Sequence, residues 1–383
     1  MVKRKIWINR ISNLLKKRSV LWIMGPRRVG KTYISKSIPN SIWYDCELPR
    51  VRKEVEDAET FFHNVPKNKI IIFDEIHRLE NPSEVLKIAS DHFPKIKVIA
   101  TGSSSLSIKK KFKDTLTGRK NDLLLTPIIY NELHDFKVTK LEHRMLFGGL
   151  PPFFMENKFP EHEIQEWIDS FWAKDVQELY RIDKRVPFLK LFELIFSQSG
   201  GIFDSVSASR ICGVSHTAVS YYLEILESFF VANVVRSFTT RKATELVKSP
   251  KVYGFDTGFV SYFKGWDKLR DDDKGFLWEH LVLNEFMALT GRQVLKYWRT
   301  KQGHEIDFVL SLRGGSPVAI ECKLKKDNFD ISNIKHFRNM YPEGENILLT
   351  PDTDRLFVKN ISNIKITIMN LSHLPEFLKK LKI

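Results

Sequence analysis

From Leu21 to about Thr126 the chain sets short apolar runs between segments of helical period: LWIM (21–24), IWY (42–44), IIIF (70–73), KVIATG (97–102) and DLLLT (122–126). Runs without polar alternation are covered on both faces, so with helices between them they predict a parallel sheet in an α/β unit. From Pro127 to about Val186 the period becomes helical, through NELHDF, the loop FGGLPPFF (147–154) and EIQEWIDSFWAKDVQELYRI. Pro187 to about Ser249 holds the helical FLKLFELIFSQ, a second short helix, SHTAVSYYLEILESFF and the β-forming VANVVRSF. After Lys251 strand-like runs return, in KVYGFD, QVLKYWRT, EIDFVLSL, PVAIECKL and NILLT, with the helix GFLWEHLVLNEFMAL among them. The pattern predicts an α/β multidomain protein with units at 1–126, 127–186, 187–249 and 250–383. At the N-terminus, Ile8, Ile11, Leu14 and Leu15 fall at helical spacing.

A chain of 383 residues is too long for one ordinary core. Lys and Arg total 61 against 46 Asp and Glu, a formal charge of +15 that favours a polyanionic partner such as nucleic acid or an acidic membrane surface. Cys46, Cys212 and Cys322 are scattered, which indicates neither a zinc site nor a disulfide framework and suggests a reducing, cytoplasmic setting. No apolar stretch reaches membrane length, so no membrane partner is expected.

Two motifs carry phosphate chemistry. Gly25-Pro26-Arg27-Arg28-Val29-Gly30-Lys31-Thr32, continuing into Tyr33, matches GxxxxGK[ST] between a buried strand and a helix. Its glycines allow backbone N–H groups to close around phosphate oxygens, Lys31 would reach the β- and γ-phosphates, and Thr32 would hold Mg²⁺. The strand IIIF ends in Asp74 and Glu75, suited to supporting Mg²⁺ and polarising water respectively. A further strand ends in Thr101-Gly102-Ser103-Ser104, whose hydroxyls would face the γ-phosphate. ATP and Mg²⁺ are the expected cofactors.

With GPRRVGKT, IIIFDEIH, ATGSSS, LTGRKNDLLLTPIIYNEL and FGGLPPFF in place, the chain resembles the AAA+ ATPases, in the archaeal-type group with an uncharacterised C-terminal region. The resemblance implies a P-loop parallel-sheet core, a helical subdomain, Ser103 or Ser104 as a sensor, Arg119 as a phosphate-sensing or finger arginine, and a homo-oligomer, expected as a ring.

Two further segments bear on partners. Ser205 to Leu226 reads as helix, Gly213 turn, helix, with Ala208, Ile211, Val214, Val219, Leu223 and Leu226 inward and Ser215, His216, Thr217, Ser220 and Tyr221 outward. As a winged helix it would meet DNA through Ser215, His216, Thr217 and Tyr221, with Arg241 and Lys242 on the wing. Hydroxyls rather than arginines lead the second helix, which favours sequence-tolerant backbone contact with duplex or branched DNA. Lys109 to Lys113 forms another basic run, suited either to touching a strand or to a solvated loop.

Glu321 and Lys323 lie two apart on one strand and so share a face, and a neighbouring strand could bring Asp307 alongside. This set resembles the PD-(D/E)xK core of restriction-endonuclease-like domains. The resemblance implies Asp307 and Glu321 as metal ligands, Glu279 as an auxiliary acid, Lys323 as the catalytic lysine, and Mg²⁺ or Mn²⁺ as the metal. The function expected is ATP hydrolysis coupled to binding, remodelling or cleaving DNA. The alternative is an ATP-dependent signalling or defence switch whose C-terminal domain only binds a partner.

Overall fold

The computed structural model describes residues 2–102, 116–239, 249–290, 294–311 and 314–381. Five strands, β1 (Val20–Met24), β2 (Ser41–Asp45), β3 (Ile70–Asp74), β4 (Lys97–Gly102) and β5 (Lys120–Leu124), form one sheet in the order β2-β3-β4-β1-β5. Every pairing in it is parallel. The apolar runs end where the strands end, because burial on both faces excludes polar side chains only within the sheet. Parallel pairing sends all five C-terminal ends to one side, where open α/β sheets bind ligands.

The helix Lys5–Lys17 packs on this sheet through Trp7, Ile11 and Leu15. It is preceded by a buried ion pair. Arg4 Nε and Nη2 donate to the two carboxylate oxygens of Glu132 at 2.7 and 2.6 Å. The same guanidinium reaches the carbonyls of Val29 and Thr126, each at 3.0 Å.

Beyond the sheet, the helix Glu161–Ser170 runs without a break into a π-helical turn, Phe171–Gln177. The helices Arg185–Ser197, Ser205–Cys212 and His216–Ser228 then pack beside an antiparallel sheet of β6 (Gly201–Ile202), β7 (Ala232–Val235) and β8 (Lys251–Gly254), ordered β6-β8-β7. β8 is the run expected to open the C-terminal α/β unit, but its backbone pairs with the preceding segment instead. Ile211, expected inward, is 49% exposed. Cys212 and Tyr222 take core positions in these helices.

The helix Asp271–Thr290 leads into a six-stranded mixed sheet. Its strands are β9 (Leu295–Arg299), β10 (Glu305–Leu310), β11 (Val318–Cys322), β12 (Asn346–Leu349), β13 (Phe357–Ile361) and β14 (Ile364–Met369), ordered β13-β14-β12-β11-β10-β9. All three cysteines are free and buried. Among the described residues no helix is long and apolar enough to cross a membrane.

Removing Arg4 would strand the Glu132 carboxylate in the core, which costs about 3–5 kcal/mol. Arg4→Ala should therefore lower the denaturation midpoint sharply, and Arg4→Met with Glu132→Leu should recover much of the loss. A single-variant change below about 1 kcal/mol, the scale of an exposed pair, would show that the pair is not buried in solution.

Candidate functional site

The loop after β1 turns at Gly25, whose φ is 148°. A Cβ there would sit 2.2 Å from the Leu125 carbonyl oxygen, so only glycine lets the loop lie this close to β5. Gly30, with φ 101°, ends the loop and leads into the helix Lys31–Lys36. Lys31 is buried, and its Nζ donates to the carbonyls of Gly25 at 2.9 Å and Pro26 at 3.0 Å. Burial pushes its pKa down, against the charges of Glu75, Asp175 and Asp74. An ammonium held by loop carbonyls is poised for a stronger anionic partner.

Across the sheet, Thr101 at the end of β4 joins the two strand-end acids. Its hydroxyl donates to Asp74 Oδ1 and accepts the Glu75 backbone N–H at 3.1 Å. Glu75 sits in the left-handed backbone region, φ 50° and ψ 48°, a costly conformation for a non-glycine residue. Burial raises the pKa of Asp74, against hydrogen bonds with Thr101 and Thr32.

Burial also pushes Glu75 up, but contact with His77 and the charges of Lys31 and Arg27 outweigh it and hold the carboxyl at about 2. His77 Nδ1 lies 3.2 Å from Glu75 Oε2. That oxygen is buried, and the imidazole is the group beside it. Thr32, adjacent to Lys31 and hydrogen-bonded to Asp74, offers with it a hard oxygen pair that fits Mg²⁺.

The other loop residues are engaged from outside the sheet. Arg27 pairs with Asp175 at 3.0 Å, Arg28 lies 3.9 Å from Glu166, and the Val29 carbonyl accepts Arg4. Tyr33, on the helix following the loop, is half-buried. Ser103, Ser104, the basic run 109–113, Arg241 and Lys242 lie outside the described residues.

Arg119 does not approach this pocket within the chain. It precedes β5, at the strand's N-terminal end, whereas the phosphate loop follows the C-terminal end of β1 beside it. Five residues of strand separate the two sides by about 16 Å, and Arg119 Nε donates to Asp91 Oδ1 at 2.7 Å.

In the C-terminal sheet β10 and β11 are antiparallel, with Phe308 opposite Ile320. Continuing that register sets Asp307 opposite Glu321. Lys323 Nζ lies 3.0 Å from Glu321 Oε2 and 3.7 Å from Asp307 Oδ2, and Asp307 also accepts the Cys322 N–H at 2.8 Å. Burial and the neighbouring Asp307 charge raise Glu321 to about 8. Its Oε1 is buried without a partner, which fits one added cation.

Glu279 does not complete a three-acid set. Its Oε1 accepts from Tyr253 at 2.5 Å and Lys251 at 3.2 Å, and Lys251 also meets Glu305 at 2.5 Å. Among the described residues no group of three or more His, Cys, Asp or Glu is placed to hold a metal. Lys251, Tyr253 and Glu305 carried no motif, and only the fold joins them.

On the helix pair, His216, Thr217 and Tyr221 are exposed. Ser215 instead caps the second helix by accepting the Ala218 N–H at 3.2 Å, so its hydroxyl is committed locally.

Residues 17–134 match the AAA domain family. Residues 138–270 and 274–372 match two domains of unknown function, DUF8612 and DUF4143. The first segment, which contains both phosphate motifs, is thus an AAA-type P-loop ATPase domain. An uncharacterized protein of Mycobacterium tuberculosis is 24% identical over 335 residues, spanning 84% of this chain and 74% of that protein. The Holliday junction branch migration complex subunit RuvB of Rickettsia africae is 35% identical over 116 residues, 29% of this chain and 33% of RuvB. Among solved structures, the Walker-type ATPase of Pyrococcus abyssi aligns at TM-score 0.47 and 14% identity, covering 69% of this chain and 96% of that one.

With its carboxyl at about 2, Glu75 stays ionised throughout the neutral range, so hydrolysis should show no Glu75-dependent fall between pH 8 and about pH 4. His77→Ala removes a contact that opposes burial, so the Glu75 pKa should rise and the acid limb of kcat should move to higher pH. Superimposable pH–rate profiles for the two proteins would show that His77 does not hold Glu75 ionised.

Proposed function

We propose that this protein binds ATP with Mg²⁺ in the pocket at the C-terminal ends of β1, β3 and β4, hydrolyses it, and uses the turnover to change how its C-terminal half engages DNA. The observation that carries the first part is the convergence of Lys31, Asp74 and Glu75 on one side of the sheet, with the Thr101 hydroxyl joining the Asp74 carboxylate to the Glu75 backbone. In this reading Lys31 exchanges its two loop carbonyls for the phosphates, and Thr32 and Asp74 hold the metal. Bound Mg²⁺ supplies neutralising charge on the phosphate oxygens. Glu75 accepts a hydrogen bond from the attacking water and aligns it with the γ-phosphorus.

DNA as the partner is supported by the net charge of +15 and by the partial match to a subunit of a branch migration complex. The exposed His216, Thr217 and Tyr221 on a helix-turn-helix suit backbone contact. In the C-terminal sheet, Asp307 and Glu321 would hold Mg²⁺ or Mn²⁺, with Lys323 stabilising charge on a phosphodiester. A homo-oligomeric ring accords with the AAA-type domain. A second reading, a partner-binding switch, is favoured by exposed Val206, Ile211 and Tyr221 on the same helix pair, an apolar set suited to protein contact.

Turnover measured with and without single-stranded, duplex and four-way junction DNA tests the proposal. Lys31→Ala should weaken ATP binding, and Glu75→Gln should bind ATP yet hydrolyse it at least about a hundredfold more slowly. DNA should stimulate the wild type, with affinity falling with salt at a log–log slope of about −0.9 per phosphate contact on duplex. Wild-type turnover in Glu75→Gln would remove that residue from the mechanism, and slow turnover with tightly kept nucleotide and no DNA response would favour the switch.

Cleavage is tested separately, because both centres use a divalent cation and chelation cannot tell them apart. Asp307→Ala and Lys323→Ala should each abolish Mg²⁺- or Mn²⁺-dependent cleavage and leave ATP hydrolysis intact. Full-rate cleavage in Asp307→Ala would exclude this cluster, and intact DNA binding without any cleavage in the wild type would make the domain a holding platform.

A further inference from the structure

Three arginines on the segments that follow β1 and β3 each face an acid on the segment 161–180. Arg27 Nη1 lies 3.0 Å from Asp175 Oδ2, Arg28 Nη2 lies 3.9 Å from Glu166 Oε2, and Arg78 Nη2 lies 3.2 Å from Glu178 Oε2. The three pairs are not equivalent. The Glu166 and Glu178 side chains are 54% and 46% exposed, so water screens them, whereas that of Asp175 is only 7% exposed.

Arg27 is also the one whose backbone is gripped by the same segment. Trp167 Nε1 donates to the Arg27 carbonyl at 3.1 Å, one helical stretch before Asp175. Asp175 itself lies in the π-helical turn, a helix type rarely kept without a local reason. The guanidinium is close enough to the reacting side of the sheet for its charge to act on both Glu75 and Lys31. Arg119 lies at the far ends of the strands, bound to Asp91, and does not reach the pocket of its own chain.

We propose that Arg27 is the catalytic arginine of ATP hydrolysis, supplied by the same chain that holds the nucleotide, and that Asp175 is a positioning residue that parks its guanidinium beside the pocket. The proposal rests on the hydrolysis reading above. In the reaction, a bond forms between the water oxygen and the γ-phosphorus, and the bond from that phosphorus to the β–γ bridging oxygen breaks. The water proton passes to the departing phosphate or to solvent, giving ADP and inorganic phosphate. Arg27 makes and breaks no covalent bond. It exchanges Asp175 for the γ-phosphate oxygens, onto which charge spreads at the transition state, and its planar fork can donate two hydrogen bonds there.

The test combines steady-state ATP hydrolysis with equilibrium binding of a fluorescent ATP analogue, both on the full chain. Arg27→Ala should lower kcat by about 10³-fold, the low end for an arginine of this kind, and leave the analogue's Kd nearly unchanged, which also shows that the pocket is folded. Arg27→Lys should recover only part of the rate, because an ammonium lacks the fork. Asp175→Asn should lower kcat by less than Arg27→Ala does and leave the analogue's Kd nearly unchanged, because the guanidinium loses its parking partner but keeps its charge. Wild-type specific activity should stay flat over about a hundredfold range of protein concentration, and mixing Arg27→Ala with Glu75→Gln should restore nothing.

Wild-type kcat in Arg27→Ala, or loss confined to binding, overturns the assignment. Recovery in the mixture, or specific activity rising with concentration, overturns it in favour of an arginine from a neighbouring copy. Absence of turnover in the wild type removes the hydrolysis reading and the proposal with it.

Discussion

The buried guanidinium of Arg4 is the contact on which the arrangement of the site depends. Its forked pairing with Glu132 neutralises both charges, and its remaining donors reach Val29 within the phosphate loop and Thr126 just beyond β5. A planar fork with several donors can tie three segments at once, which a lysine cannot. Glu132 also accepts the Ile129 N–H, and Glu285 of the helix Asp271–Thr290 accepts the next N–H, from Tyr130. One short stretch after β5 is therefore held by the N-terminal segment on one side and by the C-terminal helix on the other. Glu285, the stretch Ile129–Glu132 and Arg4 thus form a continuous run of contacts from that helix to the phosphate loop.

The two acid clusters obey opposite electrostatic logic. At the nucleotide pocket Glu75 is held ionised beside His77 on a strained backbone, while the Lys31 ammonium rests on neutral carbonyls. Each group there has a satisfied form that a charged ligand can improve upon. In the C-terminal sheet most of the charge is already answered from within, Lys251 between Glu279 and Glu305 and Lys323 between Asp307 and Glu321. Among the described residues of that cluster Glu321 Oε1 is left over, which suits one cation rather than a constellation of ligands.

How much of this could be read from the chain depended on distance along it. The five strands of the first sheet were legible because runs such as IIIF and KVIATG are apolar throughout, as burial on both faces requires. The loop Gly25–Thr32 and the pair Asp74–Glu75 were legible because their residues are neighbours. Thr101 stood at the end of an apolar run, yet its hydrogen bonds to the Asp74 carboxylate and from the Glu75 backbone N–H form only when β4 lies beside β3. β13 was not legible because Phe357–Ile361 is largely exposed and carries Lys359 and Asn360. The π-helical turn has the same apolar spacing as the helix before it, and the pairings of Arg27 with Asp175 and of Lys251 with Glu279 and Glu305 join residues of different elements. Lys251 was further hidden because β8 reads as the start of the C-terminal unit although it pairs backward.

The central claim is that the strand ends of β1, β3 and β4 form a nucleotide site that works with Mg²⁺, and calorimetric titration of the purified chain addresses it without depending on turnover or on any nucleic acid. ATP should bind at one site per chain, more tightly with Mg²⁺ than without, and Asp74→Asn and Thr32→Ala should each remove that Mg²⁺ dependence while leaving metal-free binding in place. Failure of the wild type to bind ATP, or a Mg²⁺ effect that persists undiminished in both variants, would contradict the account.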